Sequence, residues 1–211
     1  MVAAADVLFA VVLGVGLALA GLSWALRTSD SLGVTALRAF AAVFGAGVAA
    51  TGVVGLVARD PEPLVQPLWA QIGFFFWAVS VVPWFLFALA YTGRYTDPTR
   101  RVVAGLWVPF LVPFGNFVWL NAGGSPSGVL NALSSIVFIY GLSLAVFGAL
   151  LVLQATRSYV HLSVWDGLGL VATPVLAVIA LNSTGNLQQS ALVLAPLVYT
   201  LALVVGTAAL W

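Results

Sequence analysis

The chain has 211 residues, of which 63% are hydrophobic and only 6% are charged. An ordinary soluble domain carries about 25% charged residues, so this composition excludes a water-soluble fold. Cysteine is absent, which excludes disulfides and thiolate metal sites. We therefore expect membrane lipids, and no nucleic acid, around this chain, and we expect neither a metal nor another cofactor.

Long stretches without Asp, Glu, Lys or Arg organise the sequence. They cover residues 7–26, 39–58, 63–93, 102–156 and 167–211. A helix needs about 20 apolar residues to cross a bilayer, so the last two stretches are each long enough for two crossings. Polar breaks at residues 121–127 and 182–186 divide these two stretches.

This pattern predicts a single all-α membrane domain over residues 1–211, built as a bundle of seven transmembrane helices. Helices are expected because only hydrogen bonds within a segment satisfy its backbone in lipid. The predicted segments cover residues 4–26, 33–58, 66–92, 101–120, 128–155, 162–181 and 188–210.

The positions of the arginines predict the orientation of the bundle. All 7 basic residues are arginines. Basic residues in short loops stay cytoplasmic, and an external N-terminus places every arginine except Arg59 on the inner side. We therefore predict a multi-pass protein of the cell membrane, with its N-terminus outside and its C-terminus in the cytoplasm. Residues 1–6 lack the basic start of a secretory signal, so the first segment is expected to be retained.

The third segment carries Trp77 and Trp84, a spacing that places both on one face of a helix. Two interpretations of this face remain open: a packed aromatic seam inside the bundle, or a wall that lines a ligand site. Ser80 lies one turn before Pro83. Its hydroxyl is expected to make up part of the hydrogen bonding that Val79 loses, because a proline leaves the carbonyl four residues earlier without its donor.

Prolines predict bends in several segments. Pro83 lies in the third segment, Pro109 and Pro113 lie in the fourth, and Pro174 lies in the sixth. Bent helices open cavities or supply hinges, so these four prolines are candidate hinges. Prolines are also frequent in membrane helices that have no such role.

Polar side chains within the membrane predict where a ligand binds, because an unpaired polar group is costly there. Several lie at one depth in the outer half of the predicted bundle: Gln71, Asn116, Asn131, Ser134 and Ser135, with Gln188 and Gln189 in the last segment. Two interpretations remain open, namely a pocket reached from outside or from the outer leaflet, and plain hydrogen bonding between helices. With the aromatic face added, the candidate ligand-binding residues are Gln71, Trp77, Ser80, Trp84, Asn116, Asn131 and Ser135.

The ionisable residues offer little chemistry. Asp166 lies near the inner end of the sixth segment, where we interpret it as half of an interface ion pair, and His161 has no second metal ligand nearby. The sequence provides no nucleophile with its base, no phosphate-binding glycine loop and no paired carboxylates within the membrane. We therefore predict that this chain is not an enzyme. Lysine is absent, which excludes a covalent retinal Schiff base.

Two other classes of membrane protein remain as alternatives to a receptor. Coupled transport is disfavoured because the sequence lacks charges at the middle of the membrane and lacks clear internal repeats. A channel or uniporter for a neutral solute would need a continuous polar path across both leaflets. A structural subunit without a ligand would have a solidly packed interior near Gln71, Asn116 and Asn131.

One run of sequence resembles a known family. The residues Pro-Trp-Phe-Leu-Phe-Ala-Leu-Ala-Tyr-Thr-Gly-Arg, numbered 83–94 and followed by Arg100 and Arg101, resemble the N-terminal seven-transmembrane sensor region of prokaryotic histidine kinases, a family common in haloarchaea. The family motif within this run is Tyr91, Thr92, Gly93 and Arg94.

The resemblance implies a sensor domain of a two-component signalling system. It implies an extracellular N-terminus, a cytoplasmic exit from the seventh helix, attached cytosolic modules that end in a kinase, and a homodimer. The phospho-acceptor helix and the ATP-binding domain of such kinases are not in this sequence, which stops at Trp211, flush with the predicted seventh segment. The chain is therefore expected to be the isolated sensor part of a longer receptor, which responds to a small, largely uncharged ligand or to a membrane state.

Overall fold

A computed structural model describes residues 2–28, 32–57, 68–94 and 98–158. Every regular element in these ranges is helical: α1 (Val2–Ala25), α2 (Leu32–Val57), α3 (Leu68–Tyr91), α4 (Arg100–Trp107), α5 (Leu111–Asn121) and α6 (Gly128–Ser158), with short 3-10 helices at Leu26–Thr28 and Val108–Phe110. Within the described residues, 5 segments are long and apolar enough to cross a membrane. They correspond to the first five predicted segments, and the predicted sixth and seventh lie outside the described residues.

α1 and α2 form an antiparallel hairpin in which the two backbones nearly touch. A Cβ atom added at Gly45 would lie 2.7 Å from the backbone nitrogen of Ala20 and 2.9 Å from the carbonyl oxygen of Gly16. A Cβ atom at Gly52 would lie 2.6 Å from the backbone nitrogen of Leu13. Small residues permit this approach, and close packing of this kind holds helices together where lipid offers no hydrophobic driving force between them.

α3 forms the centre of the described bundle. Trp77 and Trp84 are both 0% exposed, and they are the largest fully buried side chains. The Trp84 ring lies 5.6 Å from the ring of Phe40 on α2, and its indole nitrogen donates to the carbonyl of Ala145 on α6 at 3.3 Å. One tryptophan therefore connects three helices, because its ring and its N–H point to different neighbours.

Pro83 lies inside α3 without ending the helix. The hydroxyl of Ser80 donates to the carbonyl of Trp77 at 2.8 Å. The hydroxyl therefore does not compensate the Val79 carbonyl, as the sequence had predicted, but binds a carbonyl in the preceding turn. A serine hydroxyl reaches back along its own helix to the carbonyl three or four residues earlier.

The fourth predicted segment is broken in its middle, where α4 passes into the 3-10 helix Val108–Phe110 before α5 begins. Pro109 has no N–H for the α-helical pattern, and the 3-10 turn moves the next bonds to carbonyls three residues back. The hydroxyl of Tyr140 on α6 donates to the Leu106 carbonyl at 3.4 Å, so a side chain of α6 adds a hydrogen bond next to the break.

The C-terminus of α3 has the hydrogen bonds of a Schellman motif. Gly93 adopts a φ of 67°, its N–H donates to the Ala90 carbonyl, and the N–H of Arg94 donates to the Leu89 carbonyl. Thr92 adds a side-chain bond to the Ala88 carbonyl at 3.0 Å. The left-handed conformation at this position favours glycine, because a Cβ atom would clash with the backbone.

Consecutive membrane-length segments alternate in direction, so the described arginines lie at one end of the bundle. α1, α2 and α3 are successively antiparallel, α5 and α6 form a second antiparallel pair, and α3 runs parallel to α6. The arginines at the shared end are Arg27, Arg38, Arg94, Arg100, Arg101 and Arg157. We call this end the arginine end and the other the opposite end. At the arginine end, Arg94 donates to the Gln154 side chain on α6 at 2.9 Å.

Candidate functional site

The candidate site is a polar cluster between α5 and α6 at the opposite end. The Asn116 side-chain nitrogen donates to the Asn131 side-chain oxygen at 3.1 Å and lies 3.4 Å from the Ser134 hydroxyl. Asn131 and Ser134 are three residues apart on α6, which places them on the same helix face. We call Asn116, Asn131 and Ser134 the Asn116 cluster.

Asn116 is the buried member of this cluster. It is 8% exposed, and its side-chain oxygen Oδ1 is buried without a hydrogen-bond partner among the described residues. Asn131 is exposed, so the cluster lies just beneath the protein surface. A buried acceptor without a donor costs about 1–3 kcal/mol of stability. Any arrangement that brings a donor to Asn116 Oδ1 therefore recovers that free energy.

An aromatic layer joins α3, α5 and α6 at the level of the Asn116 cluster and directly inward of it. The ring of Phe75 on α3 lies 5.4 Å from that of Phe114 and 6.1 Å from that of Phe117 on α5. Phe74 lies 5.4 Å from Phe138 on α6, one turn inward from Ser134. We call these five phenylalanines the aromatic layer. Their rings connect α3 to the two helices that carry the cluster.

Gln71 lies one helical turn before Phe74 and Phe75 on α3 and is half-buried. Residues three or four apart share a helix face, so Gln71 lies on the α3 face that carries the aromatic layer, one turn further toward the opposite end. Because α3 and α6 run parallel, this is the level of Ser134. The structure therefore brings the predicted residues Gln71, Asn116 and Asn131 to one depth on three helices.

The remaining candidate ligand residues pack in the core or bind their own helix rather than joining the Asn116 cluster. Trp77 and Trp84 lie inward of the Asn116 cluster in the core, where the Trp77 ring packs 5.9 Å from that of Phe138. Their burial against other described side chains agrees with the packed aromatic seam. Ser80 is fully buried and bonded to its own helix. Ser135 is exposed and donates to the Asn131 carbonyl at 3.0 Å, so its hydroxyl does not face Asn116.

The candidate hinges differ in their local structure. Pro83 is buried in a continuous helix, whereas Pro109 lies within the 3-10 break between α4 and α5 and Pro113 lies in the first turn of α5. Pro174 lies outside the described residues, as do His161, Asp166, Gln188 and Gln189. The motif Tyr91–Arg94 forms the C-terminal cap of α3 described above.

Several residues that connect the site to the rest of the bundle were not singled out from the sequence as site residues. They are Phe138 in the aromatic layer, Tyr140 at the helical break and Gln154 beside Arg94. Ser134 was grouped with Ser135, and only the register of α6 against α5 separates the two. A tyrosine and a glutamine in a stretch without charges, residues 128–156 of α6, were the available signals, since such polar groups need partners in lipid.

The comparisons with known proteins add no assignment. A scan against protein-family models found no match, and searches of curated proteins and of solved structures returned no significant match. Among the described residues there is no group of three or more His, Cys, Asp or Glu side chains arranged to hold a metal ion.

Proposed function

We propose that the chain is the seven-transmembrane sensor domain of a signal-transducing histidine kinase. In this proposal the opposite end faces outward and the arginine end faces the cytoplasm, following the distribution of basic residues. A small, largely uncharged ligand, or a change of membrane state, acts near the Asn116 cluster. The output is a movement of the cytoplasmic helix ends, which a homodimeric parent kinase converts into a change in its activity.

The observation that carries the proposal is the unbroken course of α6. This helix of 31 residues begins beside the Asn116 cluster and still continues where Gln154 binds Arg94. The distance along α6 from Asn131 to Gln154 is about 35 Å at 1.5 Å per residue. The hydrocarbon core of a bilayer is about 30 Å thick, so one rigid element reaches from the candidate site to the other side of the membrane.

The mechanism is a shift between two helix arrangements, which requires a ligand to bind one of them better than the other. Asn116 Oδ1 is closed off in the described arrangement, so a ligand reaches it only after α5 and α6 separate near Asn131. The 3-10 break at Val108–Phe110 places a non-α-helical turn between α4 and α5, where such a movement is readily absorbed. Pro83, Pro113 and Pro174 are the other proposed hinges.

The alternative of a channel or uniporter for a neutral solute is less well supported by the described residues. A polar path between α3, α5 and α6 would have to pass the aromatic layer and then three buried side chains, those of Trp77, Phe110 and Trp84. A structural subunit without a ligand would be expected to pair Asn116 fully, and the described part of the chain leaves its Oδ1 without a partner, which favours the receptor over that alternative.

The test measures distances between helix ends in lipid nanodiscs. The natural sequence contains no cysteine, so spin labels on introduced cysteines report without background. One pair, at Ala25 and Leu150, reports on the arginine end, because both residues are exposed. A matched control pair, at Val7 and Val129, reports on the opposite end, and these residues are 62% and 70% exposed.

We expect that at least one member of a panel of uncharged small molecules, or a change in lipid chain length, shifts the distance between positions 25 and 150 by about 2 Å or more, the scale of known switching movements of helices. Unchanged distances at the arginine end under every such condition would refute the receptor function.

A further inference from the structure

We propose that the Asn116 cluster binds a hydroxyl group, carried by an uncharged ligand whose apolar body packs on the neighbouring aromatic side chains. This inference rests on the proposed receptor function and deepens it by naming the chemical class of the ligand. It combines three observations: Asn116 Oδ1 has no partner among the described residues, residues 102–156 around it carry no charge, and an exposed indole lies beside it on α5.

The unpaired atom sets the first requirement on the ligand. Both bonds of Asn116 use its nitrogen, which leaves Oδ1 in need of a donor. The oxygen and nitrogen of an amide are assigned from the hydrogen-bond network, and rotating both Asn116 and Asn131 gives an equivalent network. In that arrangement the Ser134 hydroxyl donates to the Asn116 oxygen, and the Asn116 nitrogen is the atom without a partner among the described residues. A hydroxyl satisfies Asn116 in either arrangement, because it both donates and accepts.

The two helices that form the cluster offer a charged head group no counter-charge near Asn116. Residues 102–156, which include all of α5 and nearly all of α6, contain no Asp, Glu, Lys or Arg. A buried charge without a counter-charge is far more costly than a buried hydroxyl that is hydrogen-bonded. The ligand is therefore an alcohol rather than a carboxylate, phosphate or amine.

The apolar body has an aromatic surface to pack against. Trp119 is 51% exposed and lies on α5 three residues after Asn116, which places the two side chains on the same side of the helix. The Trp119 indole is held in place by a bond from its nitrogen to the Ser125 carbonyl at 3.0 Å. Apolar groups gain free energy by leaving water for such a surface. Alcohols of this kind reach the site either from water or as the hydroxyl head group of an outer-leaflet lipid.

The experiment compares two photoreactive probes on the full chain in nanodiscs, a diazirine-bearing octanol and a diazirine-bearing octane. Labelled residues are located by mass spectrometry. We expect the octanol to label residues 114–136 about tenfold more than the octane, because only its hydroxyl replaces the missing partner of Asn116. Equal labelling by the two probes, or no labelling in this range, would overturn the proposal.

Two competitors distinguish the sources of the ligand. Hexanediol in the aqueous phase tests a water-borne alcohol, and monooleoylglycerol in the nanodisc tests a lipid hydroxyl. Protection by either one supports the site and identifies its source. Labelling that neither one reduces would show non-specific partitioning and would overturn the proposal.

The matched variants are Asn116→Leu and Asn121→Leu. Asn121 is an exposed amide on the same helix that donates to the Phe117 carbonyl at 2.8 Å, so its loss tests the helix without touching the cluster. We expect N116L to bring the octanol-to-octane ratio close to one and N121L to leave it unchanged. If N116L does not fold, the octanol-to-octane labelling ratio of the unmodified chain still decides the proposal.

The distance measurement separates this inference from the receptor function. Octanol labelling without movement at positions 25 and 150 would preserve the hydroxyl site and reject the receptor. Movement caused only by ligands without a hydroxyl would preserve the receptor and reject this ligand class.

Discussion

Trp84 on α3 donates its indole N–H to the backbone carbonyl of Ala145 on α6 at 3.3 Å, and both residues are 0% exposed. The two helices run parallel, so this bond fixes their relative height at the centre of the bundle. It lies between the Asn116 cluster at one end and the Arg94–Gln154 bond at the other. A relative sliding of α3 and α6 would have to break it, because an indole N–H has one direction in which to donate.

Replacing Trp84 with Phe tests the importance of this bond. The variant keeps an aromatic ring beside Phe40 but removes the N–H and leaves a small void, so we expect a loss of about 1–2 kcal/mol in unfolding free energy. Thermal or SDS-induced unfolding in detergent measures the loss. Trp24→Phe is the control, because Trp24 is 64% exposed, and an equal loss in both variants would contradict the central role of Trp84.

Replacing Gly148 with Ala tests how closely α6 packs on α3. A Cβ atom at Gly148 would lie 2.8 Å from the Trp84 indole nitrogen. The indole is fully buried and rigid, so we expect overpacking to cost about 1–3 kcal/mol. Gly14→Ala is the matched control, since no atom lies within 4 Å of the added carbon there. The same unfolding assay should show G14A at or above the stability of the unmodified chain.

Replacing Asn116 with Leu tests whether the buried amide is retained for binding rather than for stability. The substitution removes the unpartnered Oδ1 at the cost of two weak interhelical bonds, so we expect the unfolding free energy of the ligand-free protein to rise by about 1 kcal/mol or to stay unchanged. A marked loss of stability would instead make the Asn116 cluster a structural contact between α5 and α6.

Replacing Tyr140 with Phe tests the bond across the helical break. The variant removes the side-chain bond to the Leu106 carbonyl while the ring still packs 5.8 Å from that of Phe110. We expect a loss of about 1 kcal/mol in unfolding free energy. Ser143→Ala, which removes an exposed hydroxyl bonded within α6, should be nearly neutral in the same assay.

Replacing Gly93 with Ala tests the turn that carries the family resemblance. Gly93 has a φ of 67°, which an alanine adopts only at a cost of about 1 kcal/mol. Gly105→Ala on α4 is the control, because its backbone is helical and no atom lies within 4 Å of the added carbon. Faster hydrogen exchange at Thr92 and Arg94 in G93A, and not in G105A, would show that the cap of α3 has been loosened.

The boundaries of the first five segments were predictable from the sequence, because the run of apolar residues sets the length of each. The proline pair in the fourth predicts a bend, and the structure has a full break there, with a 3-10 helix between α4 and α5. The glycine after Tyr91-Thr92 is likewise a sequence signal for the end of α3. These features are local, since they depend on the residues within one or two turns.

The pairing of polar groups across helices was not predictable. Ser134 and Ser135 are equivalent in sequence, yet only Ser134 faces Asn116, because the rotation of α6 about its axis decides which side chain points toward α5. The carbonyl partner of Ser80 and the use of Tyr140 at the helical break depend on the same kind of geometry.

The sequence by itself determined that the chain belongs in a membrane, because 63% hydrophobic residues and so few charges leave helices in lipid as the stable arrangement. It also determined which residues are unusual there, among them Asn116 and the two buried tryptophans. Only the tertiary structure decided which of these residues meet. Lipid-facing and protein-facing sides of such helices are equally apolar, so the rotation and height of each helix are set by packing against its neighbours, with contacts such as Trp84 to Ala145.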